Sequence, residues 1–308
     1  MLERIRAAVL WGRHHVDVPV GVVDVGSNTV RVLVAEGERT ILSEKVMLHL
    51  GADIERHGVI PEEKLAQTAT VVEQFVRDAR SAGATALEVL IASPGRQAAN
   101  GDVLAQVLEG VSDCPVRILT STEEGQLAFL GALANAGLPA GRTIAVVDVG
   151  GGSAQVVVGS RKTGPVWTRS IDLGSQRLTT RMLAGDPPGS AAVGAARAEV
   201  GRYLETLDPP KPQTTLAVGG SARGLKRIAG ARLSKDELDA ALLVLSETPS
   251  ATVSERYGIV EERARTLTAG AVILAGIQSL LGPALRVQRG GLREGALLSL
   301  AAERAVAA

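Results

Sequence analysis

Asp24 and Asp148 each end a run of valines, and each is followed by Val-Gly. Gly21 to Ser27 reads Gly-Val-Val-Asp-Val-Gly-Ser, and Ala145 to Ser153 reads Ala-Val-Val-Asp-Val-Gly-Gly-Gly-Ser. A buried strand that ends in Asp and then Gly presents a carboxylate where the backbone turns. One or two such carboxylates, with water and phosphate oxygens, suit Mg2+. Gly26, Gly150, Gly151 and Gly152 let backbone N–H groups approach an anion closely, forming a nest for phosphate. Ser27, Asn28 and Ser153 add side-chain donors. One such turn alone reads equally well as a hairpin loop, where Gly and Asn are common. Two matching copies favour the anion site. A third turn, Gly219-Gly220-Ser221, follows an apolar strand and opens a helix. It is either an anion site at a helix N-terminus or an ordinary strand-to-helix connection.

The elements that position these turns repeat with them. The two aspartates are 124 residues apart, and a β-branched run follows each (Val30–Val34 and Gln155–Val158). Both copies read as strand, tight turn, strand, turn, strand. A single recurrence at that distance indicates two homologous halves facing each other rather than a solenoid. In the first half the spacing predicts a helix over 61–82, a strand over 87–92, a short helix over 102–108 and a strand over 116–119. A further helix runs to about Ala136, capped by Ser121/Thr122, with Glu123 and Glu124 at its positive end. In the second half helices are expected over 176–183, 191–207, 221–228, 235–245 and 263–281. Strands are expected over 214–218 and 285–288, and a closing helix over 292–306. Leu138–Arg142 is the best boundary. Alternating strands and helices make the chain α/β, with an extension over 1–17 and domains over 18–138 and 139–308, the last helix able to pack back on the first domain.

Composition narrows the chemistry. The 308 residues exceed what one core usually serves. Lys+Arg and Asp+Glu balance at 33 each, so affinity for a polyanion must come from local groups. Aromatic residues are 2%, too few for base-stacking platforms, and no nucleic-acid partner is expected. Cys114 is the only cysteine, which excludes an intrachain disulfide and a thiolate cluster. No apolar run approaches a membrane span and no secretory signal is evident, so no membrane partner and a cytoplasmic location are expected. There is no P-loop, no dinucleotide fingerprint and no nucleophile elbow. His14 and His15 read as a solvated pair, His49 and His57 as strand-end and loop residues.

Taken together these residues resemble the exopolyphosphatase/guanosine pentaphosphate phosphohydrolase (Ppx/GppA) family of the sugar kinase–Hsp70–actin superfamily. Asp24-Val25-Gly26-Ser27-Asn28-Thr29 and Asp148-Val149-Gly150-Gly151-Gly152-Ser153 look like its two phosphate motifs. Arg96-Gln97-Ala98, Thr122-Glu123-Glu124-Gly125, Gly219-Gly220-Ser221 and Gly290-Gly291-Leu292-Arg293-Glu294-Gly295 follow in the family's order. The resemblance implies two actin-like (ribonuclease H-like) domains, mixed sheets flanked by helices, and a cleft between them. It implies removal of a terminal phosphoryl group by water, with Mg2+ on Asp148 and Asp24. Glu124, second of the pair with Glu123, would be the general base. Ser27, Asn28, Ser153, Arg96 and the glycine amides would orient phosphates.

Two departures qualify the likeness. The family's usual Gly-Gly-Gly-Ser-x-Glu ends here in Gln155, which can neither charge a metal site nor act as a base. The chain also stops soon after Glu294, as in the short, two-domain form. The expected activity is Mg2+-dependent release of orthophosphate from inorganic polyphosphate. The alternatives are a guanosine pentaphosphate 5′-phosphohydrolase, or a weakly hydrolysing or non-hydrolysing regulator that binds polyphosphate or guanosine tetra- or pentaphosphate. A general actin-like ATPase or kinase is disfavoured by Arg96 and the paired glutamates. A homodimer is compatible with the likeness. Arg223, Lys226 and Arg227, and Arg177 with Arg181, share helix faces that either touch a long anion or are simply solvated.

Overall fold

The structure is a computed structural model that describes residues 18–307. The extension over 1–17, with His14 and His15, lies outside the described residues. The chain divides into two compact units. One runs to Gly137 and resumes at Gly290; the other is Leu138–Arg289. The second unit therefore ends before the closing helix.

The first unit contains β1 (Val20–Val25), β2 (Thr29–Glu36), β3 (Arg39–Met47), α1 (Leu50–His57), α2 (Glu62–Ser81), β4 (Ala86–Ile91), α3 (Ser93–Gln97), α4 (Gly101–Val111), β5 (Val116–Ile118) and α5 (Ser121–Ala134). Its sheet has the order β3-β2-β1-β4-β5, antiparallel on the β2 side of β1 and parallel on the β4 side. Central β1 is covered on both faces, which is why it reads as an almost unbroken apolar run. Val23, Val25, Val30 and Val32 face one core with Val72 and Phe75 of α2. Val20, Val22, Leu33 and Leu90 face another with Leu127 and Leu130 of α5 and Leu298 of the closing helix.

The second unit contains β6 (Ile144–Val149), β7 (Ala154–Ser160), β8 (Gly164–Ile171), α6 (Ser175–Met182), α7 (Ser190–Leu204), β9 (Thr214–Val218), α8 (Gly219–Ala229), β10 (Arg232–Leu233), α9 (Lys235–Glu247), α10 (Ser250–Tyr257), α11 (Glu261–Leu281) and β11 (Leu285–Val287). Its sheet order is β10-β11-β9-β6-β7-β8. β6 pairs antiparallel with β7 and parallel with β9, as β1 does with β2 and β4. The sequence repeat is thus a repeat of topology, with β11 in the place of β5. The closing helix, α12 (Leu292–Ala307), packs along α5. A Cβ on Gly131 would collide with the Gly291 carbonyl, and one on Gly295 with the Leu127 carbonyl. The terminal Gly-rich motif is therefore the device that brings two helix backbones together.

Several expectations change. α5 is capped by Thr120, not by Ser121 or Thr122. His57 lies in the last turn of α1 rather than in a loop, and α1, α3 and α10 were not expected. α11 is long and apolar enough to cross a membrane, against the expectation that no run approaches a span. Yet 72% of that stretch is buried, against α6, α7, α8 and α9.

Candidate active site

In the first unit the site residues gather at the carboxyl ends of three adjacent parallel strands, where open α/β sheets bind ligands. Beyond β1, Gly26 N–H donates to the Thr29 carbonyl at 3.1 Å and closes the turn. The start of α1 holds that turn from below. Gly51 N–H reaches the Ser27 carbonyl at 2.7 Å, and the Leu48 and His49 N–H groups reach the Asn28 carbonyl at 3.0 and 3.2 Å. Gly51 is needed there, since a Cβ would lie 2.8 Å from Ser27 Cβ. His49 adopts a left-handed conformation (φ 57°), the only described non-glycine residue with positive φ. Such strain persists where the surroundings fix the backbone. Ser27 Oγ and Ser93 Oγ are 2.6 Å apart, tying the turn to α3. Asn28 Oδ1 is enclosed without a hydrogen-bond partner among the described residues, the kind of polar atom that water or a ligand donor satisfies.

Beyond β4, Arg96 lies on α3; beyond β5, the paired glutamates open α5. The two carboxylates have separate surroundings. Glu123 completes a capping box, accepting from Thr120 N–H and Oγ1, each at 2.9 Å, with Arg117 3.5 Å away. Burial raises its proton affinity, but the Thr120 hydrogen bonds and Arg117 outweigh that and hold the carboxyl below its ordinary 4.5. Glu124 is buried and accepts from Arg96 Nη2 at 2.6 Å, while Arg96 Nη1 donates to the Leu119 carbonyl at 2.6 Å.

Asp24 sits opposite Arg31 in the β1–β2 register. Burial raises its carboxyl above the ordinary 3.8. The positive charges of Arg293 and Arg31 oppose this, and Glu294 adds to it.

In the second unit, Gly150 N–H closes the matching turn on the Ser153 carbonyl at 3.0 Å. The first N–H groups of α6 are spent on this turn. Ser175 donates to the Gly150 carbonyl at 2.9 Å, and Gln176 to that of Gly151 at 2.9 Å. Gln155 is buried, and its Nε2 donates to Ser153 Oγ at 2.8 Å and Ser170 Oγ at 3.4 Å. It stands opposite Asp148 in the β6–β7 register, the place Arg31 has opposite Asp24. Gly219 has φ 83°, and a Cβ there would strike Asp148 Oδ1. Ser221 Oγ donates to the Val149 carbonyl at 3.3 Å, so the Gly219-Gly220-Ser221 turn abuts the Asp148 turn. A Cβ on Gly220 would strike the guanidinium of Arg263.

A family model described as the Ppx/GppA phosphatase family matches residues 32–304. The chain belongs to the Ppx/GppA phosphatase family. It is 30% identical over 302 residues to Exopolyphosphatase 1 of Mycobacterium tuberculosis, covering 91% of this chain and 87% of that one. Among solved structures, an exopolyphosphatase-like protein matches with a TM-score of 0.82 at 24% identity, over 91% of this chain and 98% of its own. The Aquifex aeolicus Ppx/GppA family member matches with a TM-score of 0.79 at 23% identity, over 93% and 98%. These solved structures share the α/β fold of this Ppx/GppA chain, two mixed sheets flanked by helices.

Each unit of this Ppx/GppA protein thus gathers one set of the expected residues. The first brings together Asp24, Gly26, Ser27, Asn28, Arg96 and Glu124; the second gathers Asp148, Gly150 to Ser153, Gln155 and Gly219 to Ser221. Sequence reasoning missed His49, Ser93 and Arg263. Arg263 left one signal: a cation in the first turn of a helix, where carboxylates are favoured.

Proposed function

We propose that the chain is an exopolyphosphatase that uses water to release the terminal phosphoryl group of inorganic polyphosphate as orthophosphate. The observation that carries this is the placement of the Glu124 carboxylate against Arg96, beyond the strand end next to the one that bears Arg96. Glu124 takes the proton of the attacking water. Arg96 offers a planar fork to phosphate oxygens, and Ser27 and Asn28 in the same unit help to orient them. Glu123, bound up in its capping box, fixes the start of α5 and so the aim of Glu124.

The Asp148 carboxylate lies against Gly219, where a Cβ would strike it, and Mg2+ takes as few as one protein carboxylate. Asp24 is already opposed by Arg31 and Arg293. Asp148 would hold Mg2+, which neutralises phosphate charge when bound. Gln155, where a carboxylate is usual, favours slower turnover and supports a second reading as a polyphosphate-binding or guanosine tetra- or pentaphosphate-binding regulator.

Phosphate release from long-chain polyphosphate, guanosine pentaphosphate and ATP with Mg2+ tests the proposal. Release from polyphosphate, abolished in Glu124→Ala, is the expected result. Tight binding without release from any of the three favours the regulator.

A further inference from the structure

Ser27 and Ser93 are both buried, and their hydroxyl oxygens lie 2.6 Å apart, the one hydrogen bond that either side chain makes among the described residues. Either oxygen can be the donor. The pair carries two hydroxyl hydrogens and shares a single hydrogen bond, so the second hydrogen has no acceptor among the described residues. A buried donor left in that state costs about 1–3 kcal/mol. In a native fold it marks a place where water or a ligand completes the bond.

The surroundings separate the two hydroxyls. Ser27 belongs to the turn beyond β1, whose carbonyls are spent on α1 and the residues before it: that of Ser27 accepts from Gly51, and that of Asn28 from Leu48 and His49. The backbone N–H groups of Ser27 and Asn28 lie outside the strands and donate to no atom among the described residues. Two amides and one hydroxyl hydrogen on consecutive residues make a set of donors that the acceptor oxygens of a phosphoryl group satisfy. Ser93 stands behind that set. It opens α3 directly after Ala92, whose N–H donates to the Val25 carbonyl at 3.0 Å, so its backbone is fixed to the end of β1. Arg96 follows it by three residues on the same helix, on the same face. The serine pair therefore joins the donor turn to the helix that carries Arg96.

We propose that Ser93 is a positioning residue for phosphoryl transfer: it donates to Ser27 Oγ and so leaves the Ser27 hydrogen for an oxygen of the terminal phosphoryl group. The inference rests on the polyphosphate reading above and uses residues of the first unit alone. The test is a cycle of Ser27→Ala, Ser93→Ala and the two together. Phosphate release from long-chain polyphosphate with Mg2+ is measured for each, with Tm beside it. Ser27→Ala should lower kcat/KM about thirtyfold and Ser93→Ala about fivefold. The double variant should stay within about twofold of Ser27→Ala, because Ser93 acts through Ser27. A role in the fold alone would lower Tm and would add to the effect of Ser27→Ala instead of vanishing into it. Losses that multiply in the double variant therefore overturn the proposal. So does a greater loss in Ser93→Ala than in Ser27→Ala, which would make Ser93 the residue that meets the phosphoryl group. If Ser93→Ala melts early, Ser93→Cys decides in its place, since it keeps a similar side chain without a strong donor. A fivefold loss there upholds the proposal, and natural activity overturns it. A natural chain that releases no phosphate removes the parent reading and this inference together. An active natural chain whose Ser93 variants are equally active removes only the role of Ser93.

Discussion

The Arg96 guanidinium lies 2.6 Å from the Glu124 carboxylate, across 28 residues of sequence. Topology makes the contact: α3 and α5 follow β4 and β5, neighbouring parallel strands, so both helices begin at the same end of the sheet. The same guanidinium also holds the Leu119 carbonyl just before α5. Arg96 is thus clamped to the backbone on one side and to the proposed base on the other. A phosphate arriving at Arg96 competes with Glu124 for it.

Glu124→Gln keeps an acceptor for Arg96 and removes the base. Stability should change by less than about 1 kcal/mol, while phosphate release falls by about 10²–10⁴. Arg96→Ala takes a cation from a buried carboxylate and should lower unfolding free energy by about 2 kcal/mol as well as weaken substrate binding. Urea unfolding and steady-state kinetics check both. A loss below tenfold in Glu124→Gln sinks the base assignment.

Gln155→Glu places a second carboxylate opposite Asp148 on adjacent antiparallel strands. Like charges directly opposed are destabilising, and a cation between them reverses the effect. Without metal the variant should be less stable by about 1 kcal/mol. Added Mg2+ should raise its Tm more than it raises that of the natural chain, with faster phosphate release. Equal Mg2+ responses in the two proteins would remove Asp148 from the metal site.

What the sequence made legible was whatever local pattern determines. The turns after β1 and β6 stood out because apolar runs end there in Asp-Val-Gly, and the repeat of those runs anticipated the repeated topology. α3 escaped because Pro94-Gly95 reads as a turn. The pairing of Arg96 with Glu124 depends on the strand order β1-β4-β5, which no local spacing encodes. Glu123 and Glu124 were both candidates for catalysis. Only Thr120, one residue ahead of the expected cap, separates them, since it draws Glu123 back into the capping box.

Asp24 supplies a pH signature. Its carboxyl is raised above 3.8 in the folded state, chiefly by burial. The folded chain therefore holds that proton more tightly than the unfolded chain does. The stability this contributes is fully present below 3.8 and is lost as pH rises through the folded value. Asp24→Asn removes the penalty of ionising in place. Its Tm should exceed that of the natural chain at neutral pH, and the gap should close as pH falls toward about 4. A gap constant with pH would show that Arg31 and Arg293 fully compensate the buried charge.

Gly131 tests whether the terminal Gly-rich motif serves packing. A Cβ there meets the Gly291 carbonyl, while a Cβ on Gly290 meets the Gly131 carbonyl, so the backbones of α5 and of the segment leading into α12 leave no room for an added carbon. Gly131→Ala should lower stability by about 3 kcal/mol. Gly110→Ala at an exposed position of α4, where nothing lies within 4 Å of the added carbon, should instead raise it by about 0.5 kcal/mol. Because Arg293 and Glu294 of α12 act on Asp24, displacing α12 should also shift the Asp24 titration, read by following its carboxyl carbon by NMR. If Gly131→Ala proves as mild as Gly110→Ala, the two helices are not held at backbone contact, and the motif has to be explained by its charged residues alone.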